Sequence, residues 1–119
     1  MCDQQYAITQ REINPEWLIL DLCGSINSLL KEKFEEVVHH IHAAPTRQVV
    51  LNFSGVSQVD GPGLRALLLF CVSLRRMNRK LSCFGMRKEV MTIFRLARLD
   101  TLLHIYPDED RVLLLAGVK

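Results

Sequence analysis

Gln48-Val49-Val50-Leu51-Asn52-Phe53-Ser54-Gly55-Val56-Ser57-Gln58-Val59-Asp60-Gly61-Pro62-Gly63-Leu64 is the stretch whose reading decides the fold. Gln48 to Phe53 is a short apolar run, the pattern of a strand. Gly55 to Gly63 then reads as a polar loop broken only by Val56 and Val59. The loop delivers Asp60 to the start of a helix predicted from about Gly61 to Met77. Asp60 is a good N-cap, because its carboxylate can accept from the free N–H groups of the first turn. Pro62 suits that turn, where a missing N–H breaks no intrahelical bond. Gly61 and Gly63 would let the backbone of a partner approach closely. Taken alone, these residues describe a well-capped helix start.

Outward from this stretch, strands and helices alternate. Leu64, Ala66, Leu67, Leu68, Leu69, Phe70, Cys71, Val72 and Leu74 leave the predicted helix apolar on nearly every side. Such a helix is expected to be central or covered by a partner. Upstream, Tyr6 to Ile13 and Trp17 to Cys23 read as strands joined by an Asn14-Pro15-Glu16 turn. That arrangement predicts an antiparallel hairpin, with Gly24 ending its second strand. Ser28 is a candidate cap for a helix whose apolar residues Leu29, Leu30, Phe34, Val37, Val38 and Ile41 recur at three- and four-residue steps and give one buried face. Downstream, Leu81 to Phe84 is a strand and Val90, Ile93, Phe94 and Ala97 mark one face of a helix. Leu102 to Ile105 is a last short strand, and Pro107-Asp108-Glu109-Asp110 opens a final helix, with acids where the helix dipole favours them. The order β-β-α-β-α-β-α-β-α predicts an α/β domain. Its central sheet is mixed, with the first two strands antiparallel and the rest parallel, and it carries about four helices.

The 119 residues fit one domain, 1–119, and 49% hydrophobic residues suffice for one core. A net charge of +2 does not imply nucleic acid. The cluster Arg75, Arg76, Arg79 and Lys80 reads as a helix end whose cations complement the dipole, and no aromatics alternate with them to stack bases. Cys2, Cys23, Cys71 and Cys83 lack zinc or redox spacing. The last three sit in apolar segments, where a free thiol behaves as a small hydrophobe, as suits a reducing cytosol. The longest apolar run, Ala66 to Val72, is too short to span a bilayer, and the N-terminus lacks signal-peptide order. A cytoplasmic location without membrane insertion is expected. His39, His40 and His42 cluster near a helix end, but a metal site needs converging rings and a further ligand, so no metal and no cofactor is expected. No Gly-x-Ser-x-Gly elbow and no phosphate loop is present. The cysteines lie in buried segments and not at exposed helix starts. Catalysis, for instance by His40 or Cys71, therefore has little support.

Val49-Val50-Leu51-Asn52-Phe53-Ser54-Gly55-Val56, then Val59-Asp60, then Gly63-Leu64 with Leu67 and Leu68 beyond, resembles the anti-sigma factor antagonists of the STAS family. The likeness continues through Leu20-Asp21-Leu22-Cys23-Gly24, Arg79-Lys80-Leu81, Phe94, Leu96 and Leu99-Asp100, in order along nearly the whole chain. The resemblance implies a protein-binding domain that docks on an anti-sigma factor, in some cases a serine kinase, and relieves inhibition of a sigma factor. It places the working surface at Asp60, Gly61, Pro62 and Gly63, at Leu64 and Arg65, and at the Gly24 to Asn27 turn with Ser25 and Asn27. In the family, the second hydroxyl residue after the aspartate is commonly phosphorylated. A phosphate there is stabilised by the helix N-terminus. Here Gly61 and Pro62 occupy the two hydroxyl positions, so the usual phosphoacceptor is absent. Ser57 is the nearest remaining hydroxyl and is expected to bond its own turn. Asn52 and Asn27 stand where the family often has aspartate, which would remove negative charge near the docking edge. Small STAS members also serve as cytoplasmic subunits of lipid or anion transport complexes, and the apolar second helix would suit such a permanent partner. A monomer or homodimer is expected of a switching antagonist.

Overall fold

The computed structural model describes residues 6–117. Strands β1 (Tyr6–Asn14) and β2 (Trp17–Ile26) form the predicted hairpin, antiparallel from Tyr6↔Gly24 to Asn14↔Trp17. Asn14 makes its turn by accepting from the backbone N–H groups of Glu16 and Trp17 through Oδ1. Helix α1 (Leu30–His42), strand β3 (Gln48–Val59), helix α2 (Gly61–Arg76) and strand β4 (Lys80–Phe84) follow. Helix α3 (Lys88–Leu96), a 3-10 turn (Leu99–Thr101), strand β5 (His104–Ile105) and helix α4 (Glu109–Leu115) complete the order. Among the described residues the strands form one five-stranded sheet, β1-β2-β3-β4-β5, in which every pair after the first is parallel.

The alternation of side chains along a strand divides the core between the two sheet faces. On one face Leu18, Leu20 and Leu22, with Val49, Leu51 and Phe53, meet the buried residues of α1, α2 and α3. Phe34 stacks on Phe70 with ring centroids 4.5 Å apart and ties α1 to α2. Phe53 meets Phe94 edge-on at 5.4 Å and ties β3 to α3. On the other face Ile19, Val50 and Phe84 form a smaller cluster with Val112 of α4. Arg11 fastens α4 there, because its guanidinium donates to both Asp21 and Glu109. These two carboxylates raise its pKa further, Glu109 contributing most.

Several expectations are corrected. β3 does not give way to a loop at Gly55 but runs on to Val59. Val56 and Val59 stay buried while Ser54, Gly55, Ser57 and Gln58 are exposed, because β4 stops at Phe84, opposite Asn52, and leaves β2 as the neighbour there. β2 likewise passes Gly24 and ends at Ile26. Gly24 takes φ +91° beside a register shift, a conformation that glycine tolerates best. Ser28 does not cap α1; Asn27 Oδ1 accepts from the N–H of Leu29 instead, at 2.9 Å. The last strand shrinks to His104–Ile105 because Leu99–Thr101 wind into the 3-10 turn. α2 is not buried all round, since Leu68 is 38% and Leu69 47% exposed. Cys23 is disulfide-bonded and not a free apolar thiol. Cys71 and Cys83 are free and buried, as expected.

Candidate docking face

The parallel pairing of β2 with β3 assembles the candidate residues. Ser25↔Gln58 and Ile26↔Val59 are the last partners of that ladder, so the chain segments after both strands emerge side by side. The backbone N–H of Asp60 then donates to the Ile26 carbonyl at 3.1 Å. Asp60 caps α2 as the sequence predicts: its Oδ1 accepts from the N–H of Gly63 at 2.7 Å, and its carbonyl accepts from Leu64 at 2.9 Å. Asn27 makes the turn that leads into α1, its carbonyl accepting from the N–H of Leu30 at 3.1 Å, while the N-cap of α1, Leu29, makes no side-chain cap bond. Two helix entrances therefore lie next to each other.

Gly63 serves this junction rather than a partner. It is buried, and a Cβ on it would collide with the Ile26 carbonyl and crowd the Asn27 N–H. Gly61, by contrast, is exposed with open space around it. Pro62 is also exposed, at the second helical position, where its missing N–H leaves no intrahelical bond unmade. Arg65 is exposed, whereas Leu64 is half-buried and packs on the core. Of the predicted residues, Gly61, Pro62, Arg65 and Asp60 thus present surface, Ser25 and Asn27 present part of theirs, and Gly63 and Leu64 act mainly as the support.

Two shallow depressions flank this edge. One, of about 270 Å³, is lined by Ser25, Ile26, Asn27, Gln58 and Asp60. The other, of about 240 Å³, is lined by Ser28, Lys31, Pro62, Arg65, Ala66 and Leu69. The second shares Lys31, Ala66 and Leu69 with a groove of about 280 Å³ between α1 and α2, which Phe34, Glu35, Val38 and Phe70 also line. Lys31 and Leu69 are additions that the loop motif does not reveal. The excess of apolar residues on α2 was the signal for Leu69, since one helix face cannot bury them all.

Ser57 and Asn52 do not belong to the helix start. Ser57 is exposed on β3, three residues before the cap of α2, and not in a turn as expected. Asn52 lies on the sheet within the network that holds α4: its Nδ2 donates to Asp21 at 2.7 Å and its Oδ1 accepts from the N–H of Ser54 at 3.0 Å. An aspartate there would face Asp21, so the expected effect of Asn52 on the docking edge is corrected to a structural one. His39, His40 and His42 are exposed on α1. Among the described residues no group of three His, Cys, Asp or Glu side chains is arranged to hold a metal.

The STAS domain model matches residues 9–112. The chain belongs to the STAS family. Solved structures agree on the fold at low identity. The unphosphorylated anti-sigma factor antagonist SpoIIAA superposes with a TM-score of 0.78 at 16% identity, covering 95% of this chain and 99% of that one. An anti-sigma factor antagonist from Mycobacterium paratuberculosis gives 0.74 at 16% identity, covering 92% of each chain. A sulfate transporter family protein from Wolinella succinogenes gives 0.78 at 17% identity, covering 91% of this chain and 90% of that one. No curated protein matches the sequence significantly. Among the described residues no helix is long and apolar enough to cross a membrane.

Proposed function

We propose that the 119 residues form one STAS domain that acts as an anti-sigma factor antagonist in the cytoplasm, by binding and not by catalysis. Its docking face is the edge where Ser25, Asn27 and the start of α2 meet, with Gly61, Pro62 and Arg65 outermost. The observation that carries this reading is the junction itself: Asp60 caps α2 and binds the Ile26 carbonyl, so both loops present one rigid surface. Rigid presentation lowers the ordering cost of association. The partner is an anti-sigma factor, including those of the serine kinase type. No phosphorylation of the helix start occurs, because Pro62 has no hydroxyl and Ser57 lies on β3, before the cap of α2. The domain would therefore bind constitutively, as a monomer or homodimer.

A second reading has its own support. Exposed Leu68 and Leu69 on α2 would suit a permanent partner, as in a regulatory subunit of a lipid or anion transport complex. Affinity capture from the native lysate, with mass spectrometry of the retained proteins, separates the two. An anti-sigma factor bound to the wild type and lost with Arg65→Glu supports the first reading. Transporter subunits in its place would replace it with the second.

A further inference from the structure

A basic cleft lies at the opposite end of the sheet from the docking face. It has a volume of about 650 Å³, and Arg75, Arg79, Lys80, His104, Tyr106 and Leu115 are among its lining residues; among the described residues no carboxylate side chain lines it. The parallel topology explains the accumulation of charge. Each crossover helix runs back against the strands, so helix C-termini gather where the strands begin. Arg75 and Arg76 end α2, Arg95 ends α3 with Arg98 just beyond it, and Lys80 opens β4. Arg47 is held at the same end, its carbonyl accepting from the N–H of Lys80 at 2.9 Å. Glu16 pairs with Arg47 at 3.4 Å, whereas Asp60 and Glu109 belong to helix starts.

Complementing the helix dipole does not account for this cluster. The final carbonyls of α2 already accept from Met77, Asn78 and Arg79 N–H groups, and Lys80 and His104 belong to strands. Arg79 is fixed, donating to the carbonyls of Met77 and Ala44. Arg75 and Lys80 are exposed and form no ion pair among the described residues. Leu115, at the end of α4, lines the cleft beside the cations and is 53% exposed, and Leu114, next to it in the chain, is 55% exposed.

From this arrangement we propose that the basic end docks on an anionic phospholipid surface, with the cleft receiving a lipid phosphate and Leu114 and Leu115 reaching the acyl boundary. Clustered cations beside exposed apolar side chains are the combination that holds a peripheral protein at such a surface. The leucines favour a membrane over nucleic acid, whose backbone offers them nothing. The docking face at the far end remains free for a protein partner.

Sedimentation of the full chain with phosphatidylglycerol vesicles, against phosphatidylcholine vesicles, tests the proposal. Binding is expected to the anionic vesicles alone and to weaken as salt rises. The double variant Arg75→Glu/Lys80→Glu should bind about tenfold more weakly or worse, and Leu114→Ser/Leu115→Ser should also weaken binding. All four residues are exposed, and circular dichroism checks that both variants stay folded. Failure to pellet with anionic vesicles, or pelleting undiminished by either variant, would overturn the proposal. So would saturable binding of glycerol 3-phosphate or duplex DNA without vesicle binding; those outcomes would assign the cleft to a soluble phosphate ester or to nucleic acid.

Discussion

Single residues carry separable tasks at the proposed docking face. Asp60→Ala removes the cap of α2 and should cost about 1 kcal/mol of stability, read from urea unfolding. Gly63→Ala should cost more, because its methyl group meets the immovable Ile26 carbonyl and not a flexible side chain. Pro62→Ser should leave stability within about 0.5 kcal/mol, since the site is exposed and the lost ring constraint is offset by ordinary helix propensity. The new hydroxyl would stand at the second helical position, so a cognate kinase should phosphorylate P62S and leave the wild type unmodified, as intact-mass spectrometry would register. In the core, burial pushes the Cys83 thiol up to about 12. Burial also raises Cys71, with Arg75 opposing. Above the ordinary thiol value of 9.0 the unfolded chain releases the Cys83 proton, while the folded chain keeps it until about 12. The contribution of Cys83 to stability is therefore lost progressively as pH rises through that interval. At neutral pH an alkylating reagent should label Cys83 at the rate of unfolding, whereas an exposed thiolate would react at once.

At the scale of elements, much was legible because hydrophobic period and turn chemistry agreed. Asn14-Pro15-Glu16 marked the hairpin, and Phe34, Val37 and Ile41 marked the inner face of α1. Asp60 marked the start of α2 at the observed residue. The misreadings share a cause. Ser54 to Gln58 and Gly24 to Ile26 look like loops because Ser54, Ser57, Gln58 and Ser25 are polar residues that reach solvent. Yet they pair as strands through backbone groups that composition does not reveal. Asn27 outcompeted Ser28 at the start of α1 for the same reason, since a side-chain-to-backbone bond depends on where the preceding strand ends. The Arg11 bridge from β1 to α4 was not legible at all, because it joins residues far apart in the chain. Its pair with Asp21 and Glu109 is partly exposed, so Arg11→Ala should cost no more than about 1 kcal/mol globally. Hydrogen exchange should nevertheless speed up locally in α4, which buries little else than Val112.

For the whole molecule, one sheet separates two surfaces. The ends of β2 and β3 carry the rigid junction that the loop motif announced, and the beginnings of β3 and β4 carry the basic cleft that no motif announced. Arg75, Arg79 and Lys80 were legible as a charged cluster, but their meeting with His104, Tyr106 and Leu115 in one cleft was hidden, because it arises only through the parallel topology. A net charge of +2 conceals this separation, which makes the total a poor guide to partners. The same consideration divides the variants by location: charge reversal at Arg65 should abolish protein capture while sparing vesicle binding, and reversal at Arg75 and Lys80 should do the opposite. The measurement that tests the central claim most directly is affinity capture of the wild type and of Arg65→Glu from native lysate, with the retained proteins identified by mass spectrometry. The account predicts an anti-sigma factor with the wild type and its loss with R65E. Transporter subunits in its place, or equal capture of the anti-sigma factor by R65E, would contradict it.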